Sequence, residues 1–159
     1  RAVLMGQHVF NESELQSRIE VELEKYVKKE QIESRVLGDL AINHIVPTAV
    51  SYQNRLLENL RGLRETFSQQ EYDELSADRK ELIRDISHRV TAIKVLVREM
   101  TEERRKANHM DSNHDKAIAY AEQVHPYLHR IREHIDNLEM EVDDEIWPLP
   151  KYRELLFSK

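Results

Sequence analysis

The sequence contains no cysteine and very few residues that turn or break a helix. Among its 159 residues there are 3 glycines and 4 prolines, and aromatic residues make up 6%. Without cysteine there can be no disulfide, thiolate nucleophile or cysteine-ligated metal site. With few glycines and prolines and many Glu, Lys, Arg and Leu, long helices with short connections are favoured. No stretch alternates as a strand would, so the composition predicts an all-α fold.

The chain also lacks an excess of positive charge and a long apolar run. It has 24 Lys and Arg against 30 Asp and Glu, a net charge of −6. An acidic chain with interspersed signs does not have the basic footprint of a nucleic-acid-binding protein. No run approaches the roughly 18 to 20 apolar residues that a membrane span needs, and no signal peptide is visible. We expect a cytoplasmic protein and, because the sequence begins at Arg1, a fragment or processed product.

The first long helical pattern begins at Asn11. Asn11 and Glu14 have the spacing of a capping box. Apolar residues then recur at steps of three and four, which place them on one helix face. They include Ile19, Leu23, Tyr26, Leu37, Leu40, Tyr52, Leu56, Leu60, Leu63 and Phe67. Pro47 interrupts this pattern, and we expect a kink or two abutting helices there.

Two further helical patterns follow. Residues 68–80 are interpreted as a turn followed by a restart that Ser76 could cap. Apolar residues of the second helix then step regularly to Met100, and the helix is expected to end near Ala107. A third helix is predicted from about Asp115, with a bend or a restart at Pro126.

Together these patterns predict a long antiparallel bundle of three main helices with an extended C-terminal docking tail. Residues 1–10 are an entering segment, residues 11–142 the bundle, and residues 143–159 the tail, which includes a short terminal helix. Trp147 is the only tryptophan, and Pro148 and Pro150 favour an extended backbone around it. Such an arm should pack on its own bundle or on another surface.

Two histidine patterns have spacings that occur in metal sites. His125, His129 and Glu133 would share one face of a regular helix, a spacing that can bind a metal ion. Glu122 and His125 form one Glu-x-x-His, but a di-iron bundle needs two such motifs with carboxylates on further helices. Because Pro126 disturbs the first register and the second motif occurs once, solvated helix polarity is the favoured interpretation.

Polar residues around the first proline were assigned structural roles. Asn43 and His44 are expected to satisfy backbone carbonyls freed by the kink. Asn54 and Asn59 form helices poorly, which suggests specific contacts, and Gly62 could allow another element to approach closely.

The residues alone indicate a helical interaction module with a docking tail. The sequence has no glycine-rich phosphate loop, nucleophile elbow or Ser/His/Asp arrangement. We therefore predict no catalytic, cofactor-binding or metal-binding residue in this chain.

Two long stretches carry a family resemblance. "RVLGDLAINHIVPTAVSYQNRLLENLRGLRE" (35–65) resembles the C-terminal region of type III glutamine synthetases, and "VDDEIWPLPKYRELLF" (142–157) resembles their end. "LMGQHVFNESELQSR" (4–18) and "HRIREHIDNLE" (129–139) are similar to the same enzymes. Residues 66–124 are the least distinctive part.

This resemblance implies a non-catalytic helical domain of a longer enzyme. The family joins ammonia to glutamate with ATP and Mg²⁺ or Mn²⁺, and its members assemble as double rings. Its catalytic centre lies in an upstream domain whose motifs are absent here, so no catalytic position is carried over. The implied partners are the enzyme's own catalytic domain and neighbouring subunits. The implied interface residues are Trp147, Pro148, Leu149, Pro150, Tyr152, Leu156 and Phe157.

Two alternatives stay open at this level. A freestanding helical adaptor could bind a protein partner through the same tail, and it would begin with its own Met near Arg1. A small metal-binding four-helix oxidase would reveal itself by two irons per chain.

Overall fold

The computed structural model of the chain describes residues 11–150. Five α-helices follow one another: α1 (Glu12–Leu40), α2 (Val46–Thr66), α3 (Gln69–Asn108), α4 (Asn113–Ala119) and α5 (His125–Glu141). A π-helical turn, Ala41–Ile45, joins α1 to α2, and a second, Tyr120–Val124, joins α4 to α5. Three long helical rods result, and the described residues contain no strand, which confirms the all-α prediction. None of these helices is long and apolar enough to cross a membrane.

Capping side chains set where the three rods begin. Asn11 and Glu14 form the expected capping box, with Asn11 Oδ1 2.8 Å from the amide nitrogen of Glu14. The second rod begins earlier than expected, because Ser68 and Glu71 form a second capping box. Ser76 lies inside α3 and is fully buried, so the interpretation of Ser76 as a cap was wrong. Ser112 caps α4, which begins at Asn113, two residues before the expected start at Asp115.

Both internal prolines follow a π-helical turn. Pro47 and Pro126 are the second residues of α2 and α5. Just before them, the amide of Val46 donates to the carbonyl of Ala41 and the amide of His125 to that of Tyr120. Each donor thus reaches back five residues rather than the four of a regular α-helix. The helix widens where a proline follows, and the bend predicted at these sites stays a prediction.

The roles assigned to Asn43 and His44 were wrong. Both side chains are exposed, and Asn43 Nδ2 donates to Asp39 Oδ1 at 2.6 Å rather than to a carbonyl. Thr48 Oγ1 donates to the carbonyl of His44, four residues earlier, at 2.9 Å.

The core runs along the centre of the three rods. α3 packs against both α2 and α5, and α1 packs against α4. The largest apolar side chains that are fully buried are Ile45, Ile86, Ile93, Met100, Tyr120, Ile131 and Leu138. Hydrogen bonds from Gln53 Nε2 to the carbonyl of Ile83 (2.8 Å) and to Ser87 Oγ (2.7 Å) fix the antiparallel register of α2 and α3.

Gly38, rather than the expected Gly62, allows two rods to approach each other closely. A Cβ atom added at Gly38 would lie 3.5 Å from Met100 Cε and 3.5 Å from Val97 Cγ1. At Gly62, a Cβ atom would meet no other atom within 4 Å. Close packing therefore occurs at Gly38, and Gly62 lies on an open surface of the described structure.

Candidate functional site

The chain after α5 folds back onto the bundle. α5 ends at Glu141, and the amide of Glu145 donates to Asp143 Oδ1 at 3.0 Å in a turn. Arg55 Nη1 lies 3.3 Å from Asp143 Oδ2 and ties the beginning of this turn to α2. Both groups are well exposed, so the ion pair contributes little to stability.

Trp147 is the apolar anchor of this segment. Its side chain is 8% exposed and belongs to the same buried cluster as the three rods. Leu149 packs against that cluster, whereas Pro148 and Pro150 are exposed. A shallow depression beside the tryptophan is lined by Leu37, Leu40, Ile45, Arg132, Ile135, Asp136, Glu139, Leu149 and Pro150. The segment therefore runs back along α5 in the groove between α5 and α1.

These observations locate four of the seven predicted interface residues. Contacts within its own chain cover nearly all of the Trp147 side chain, so little of its surface could meet a partner. Pro148 and Pro150 keep exposed surface. Tyr152, Leu156 and Phe157 lie outside the described residues, and their predicted contact with another subunit stays a prediction.

A second cluster of polar residues surrounds the second π-helical turn. Glu30 is 2% exposed, and its Oε2 atom lies 3.1 Å from Nδ1 of His125. An ionised carboxylate only accepts, so Nδ1 is the donor in this contact when Glu30 is ionised. The ring of His129 meets that of His125 edge to face, with centroids 5.0 Å apart. The histidines predicted to share a face therefore do meet, but the carboxylate beside His125 is Glu30 rather than Glu133.

An amide side chain closes the neighbouring part of this cluster. Asn108 Oδ1, at the end of α3, accepts from Gln31 Nε2 and from the hydroxyl of Tyr120, both at 2.8 Å. Since Tyr120 is fully buried, this bond satisfies a hydroxyl that would otherwise lack water. The three rods are thus joined by polar contacts at this level of the bundle.

The electrostatics of this cluster also act on Tyr26. Burial, followed by the nearby carboxylates of Glu30 and Glu33, raises the pKa of Tyr26, because both effects disfavour the phenolate. Within residues 11–150, no group of three or more His, Asp or Glu side chains is arranged to hold a metal ion. The arrangement is that of a partly buried, hydrogen-bonded junction between helices.

The sequence marks Glu30 by its place in a helical stripe. Tyr26, Glu30 and Ser34 follow one another at steps of four along the buried side of α1. A carboxylate in such a stripe must find a partner, because burying an unpaired charge is costly.

Asn54 and Asn59 were expected to make specific contacts. Both side chains are exposed on α2, and nothing described in the structure supplies a partner for them. That surface of α2 is open within residues 11–150.

Comparison with known proteins gives a consistent result. The family model "Glutamine synthetase C-terminal domain" matches residues 1–64. A glutamine synthetase of Bacteroides fragilis (strain YCH46) is 72% identical over 159 residues, which is all of this chain and 22% of that protein. A type-3 glutamine synthetase of Dictyostelium discoideum is 28% identical over 160 aligned positions, covering 96% of this chain and 21% of that protein. The chain thus spans about one fifth of the length of these relatives. Residues 1–64, which run from the start of the chain through most of α2, thus match the glutamine synthetase C-terminal domain, and the whole chain aligns with glutamine synthetases.

Proposed function

We propose that this chain is the non-catalytic C-terminal helical domain of a type III glutamine synthetase. The observation that carries the proposal is the alignment of the entire chain, at 72% identity, with 22% of a glutamine synthetase. Similarity to a type-3 enzyme over 96% of the chain supports the type III assignment. The stretches 35–65 and 142–157, which resemble that class, support it as well.

In this proposal the chemistry belongs to the longer protein. That protein would join ammonia to glutamate with ATP, and Mg²⁺ or Mn²⁺ and the nucleotide would bind outside this domain. Its location would be the cytoplasm. Within residues 11–150 the chain offers a hydrogen-bonded helical junction, which supports an architectural role.

We assign to this domain contacts with its own catalytic domain and with neighbouring subunits. The outer side of α1 supports this assignment, because it carries apolar residues that point away from the bundle. Ile32 and Val36, one helical turn apart, are 62% and 51% exposed. They lie opposite the buried stripe of Val27, Ser34 and Gly38.

The first experiment is the intact mass of the native polypeptide from its source. A mass several times the 18.9 kDa of this chain, with a nucleotide- and metal-binding domain in the same polypeptide, supports the proposal. A native mass near 18.9 kDa would refute it and would favour an adaptor that binds a protein partner.

A second experiment tests the assembly role in the longer enzyme. Cutting after Val142 would remove Trp147 from the domain's own core, so a loss of assembly would be ambiguous. Ile32→Glu with Val36→Glu changes only exposed positions, and Glu58→Lys with Glu65→Lys is the matched control on α2. The first pair should lower the oligomer mass or the ligase activity, and the control should not. Intact assembly and activity in the first pair would contradict this contact.

A further inference from the structure

One line of residues on α3 passes from buried to exposed. Leu96, Arg89, Leu82 and Leu75 follow at steps of seven, so they lie along one side of the helix. Leu96 is buried, and Arg89 Nε lies 3.3 Å from Oε1 of Glu141, the last residue of α5. Leu82 is half-buried and Leu75 is 45% exposed. The line that faces α5 in the bundle therefore continues beyond the end of α5.

Beyond that point the structure is an arm of two helices, residues 54–85. Gln53 bonds to Ile83 and Ser87, so Leu75 lies roughly opposite Leu63 near the tip. Nothing described continues α5 along this arm, because the chain after Glu141 turns back toward Leu37 and Arg132. In the bundle a third helix packs beside these two, whereas on the arm no described residue occupies that position.

Acidic residues border this open position. Glu71 lies one helical turn before Leu75, and Asp78 lies one turn after it. Asp78 and Asp85 lie one turn before and one turn after Leu82. All three carboxylates are exposed, and no described basic side chain forms an ion pair with them. Arg79 lies between Leu75 and Leu82 on the same side and donates to the carbonyl of Leu75 at 2.6 Å, so three negative charges and one positive charge leave this surface with a net charge of −2. We call these five residues, Glu71, Leu75, Asp78, Leu82 and Asp85, the arm face.

We propose that the arm face binds residues 151–159 of a second copy of this chain. This inference deepens the proposed function, since it names one contact between neighbouring subunits. Residues 151–159, "KYRELLFSK", combine four apolar side chains with three basic residues against one acidic residue. Such a segment matches an apolar line with acidic borders, and charge complementarity of this kind sets both partner and register.

The chemistry disfavours a second arm as the occupant. Pairing two arm faces would bring three carboxylates of each copy toward three of the other, and like charges across an interface are unfavourable. Residues 151–159 bring the opposite charge.

Reach disfavours the segment of the same copy. Pro150 lines the depression that Leu37 and Ile45 also line, whereas Leu75 lies opposite Leu63, 18 residues beyond Ile45 along the same rod. At 1.5 Å per residue this separation is about 27 Å. Phe157 is seven residues from Pro150, and seven extended residues span at most about 25 Å. The apolar residues of the segment therefore fall short of Leu75 in the same copy, whereas a second copy can supply them.

A charge-swap experiment on the 159-residue chain tests the proposal. Variant A carries Asp78→Lys and Asp85→Lys, and variant B carries Lys151→Glu and Arg153→Glu. Each alone should self-associate at least about tenfold more weakly than the parent chain, measured by sedimentation velocity. An equimolar mixture of A and B should regain association, because every arm face then meets an oppositely charged segment. Glu58→Lys with Glu65→Lys, at the same spacing on α2, is the control and should leave association unchanged.

Several results would overturn the proposal. The parent chain could stay monomeric up to about 1 mM, or A could associate like the parent. If A lost association while B kept it, the occupant of the arm face would be something other than residues 151–159. If the Ile32 and Val36 substitutions disrupted the longer enzyme while A did not, the assembly role would stand without this contact. Far-UV circular dichroism of A and B confirms that both variants are folded.

Discussion

Replacing Trp147 by alanine measures how far the C-terminal segment is part of the bundle. The indole is 8% exposed and lies in the common core, although its own segment is not helical. Burying a tryptophan removes roughly 150–250 Å² of surface from water, which corresponds to about 4–6 kcal/mol at 25 cal/mol per Å². Ordering residues 143–150 costs conformational entropy and reduces the net stabilisation.

We therefore expect Trp147→Ala to lower the free energy of unfolding by about 2–4 kcal/mol, at or below the usual range for a buried tryptophan. For a chain of this length the midpoint of thermal unfolding should fall by about 10 °C. Trp147→Phe should lose less, because most of the apolar contact is kept. Arg55→Ala is the control, since its ion pair with Asp143 is exposed and should contribute well under 1 kcal/mol.

The single tryptophan also makes the assay specific. Its fluorescence reports only on this segment, whereas far-UV circular dichroism reports on the helices. If the segment belongs to the core, both signals should change at the same urea concentration. A tryptophan signal that changes first, or a Trp147→Ala variant within 0.5 kcal/mol of the parent, would refute the reasoning.

Three further predictions concern the π-helical turns and their neighbours. Glu30→Ala should lower the free energy of unfolding by about 1–2 kcal/mol, because His125 loses a charge-assisted hydrogen bond, and Glu30→Gln should lower it less. A Glu30→Ala variant more stable than the parent would show that the cost of burying the carboxylate exceeds the gain from its pairing with His125. Because the pKa of Tyr26 is raised on folding, its contribution is fully present below about pH 10 and declines as pH rises through the folded pKa. Tyr26→Phe should therefore flatten the alkaline decline in unfolding free energy; equal slopes would contradict this. Deleting His44 should cost about 3 kcal/mol by placing Pro47 in a regular helix, and Pro47→Ala should recover most of this loss.

Periodicity predicted the rods well because it reflects burial directly. The apolar steps of the second and third patterns end up in the core, as at Ile86, Ile93, Ile131 and Leu138. Capping chemistry fixed the first rod at Asn11 for a similarly local reason. In each of these places one element's own residues decide the outcome.

Predictions failed where the deciding residues lay elsewhere, either earlier in the same helix or on another element. Ser76 has the chemistry of a cap, but Ser68 with Glu71 provides a complete capping box eight residues earlier and extends the helix over it. Gly62 and Gly38 look alike in sequence, and only the position of α3 makes Gly38 the close contact. The partner of His125 likewise lies 95 residues away, where no spacing rule reaches.

The two prolines show how local and tertiary demands are reconciled. A proline inside a regular helix lacks one donor and clashes with the carbonyl four residues earlier. In both rods the preceding residues adopt a π-helical turn, so the hydrogen bond just before the proline spans five residues instead of four. The π-helical turn thereby accommodates one additional residue without ending the rod, and the residues that follow it present a different side to the core. In the first rod, this change of side separates α1, which packs on α4, from α2, which packs on α3. In the third rod, it presents His125 to Glu30 at the start of α5. Each of these two prolines therefore lies where its rod changes the helix against which it packs. This explains why a chain with so few prolines has two at equivalent points.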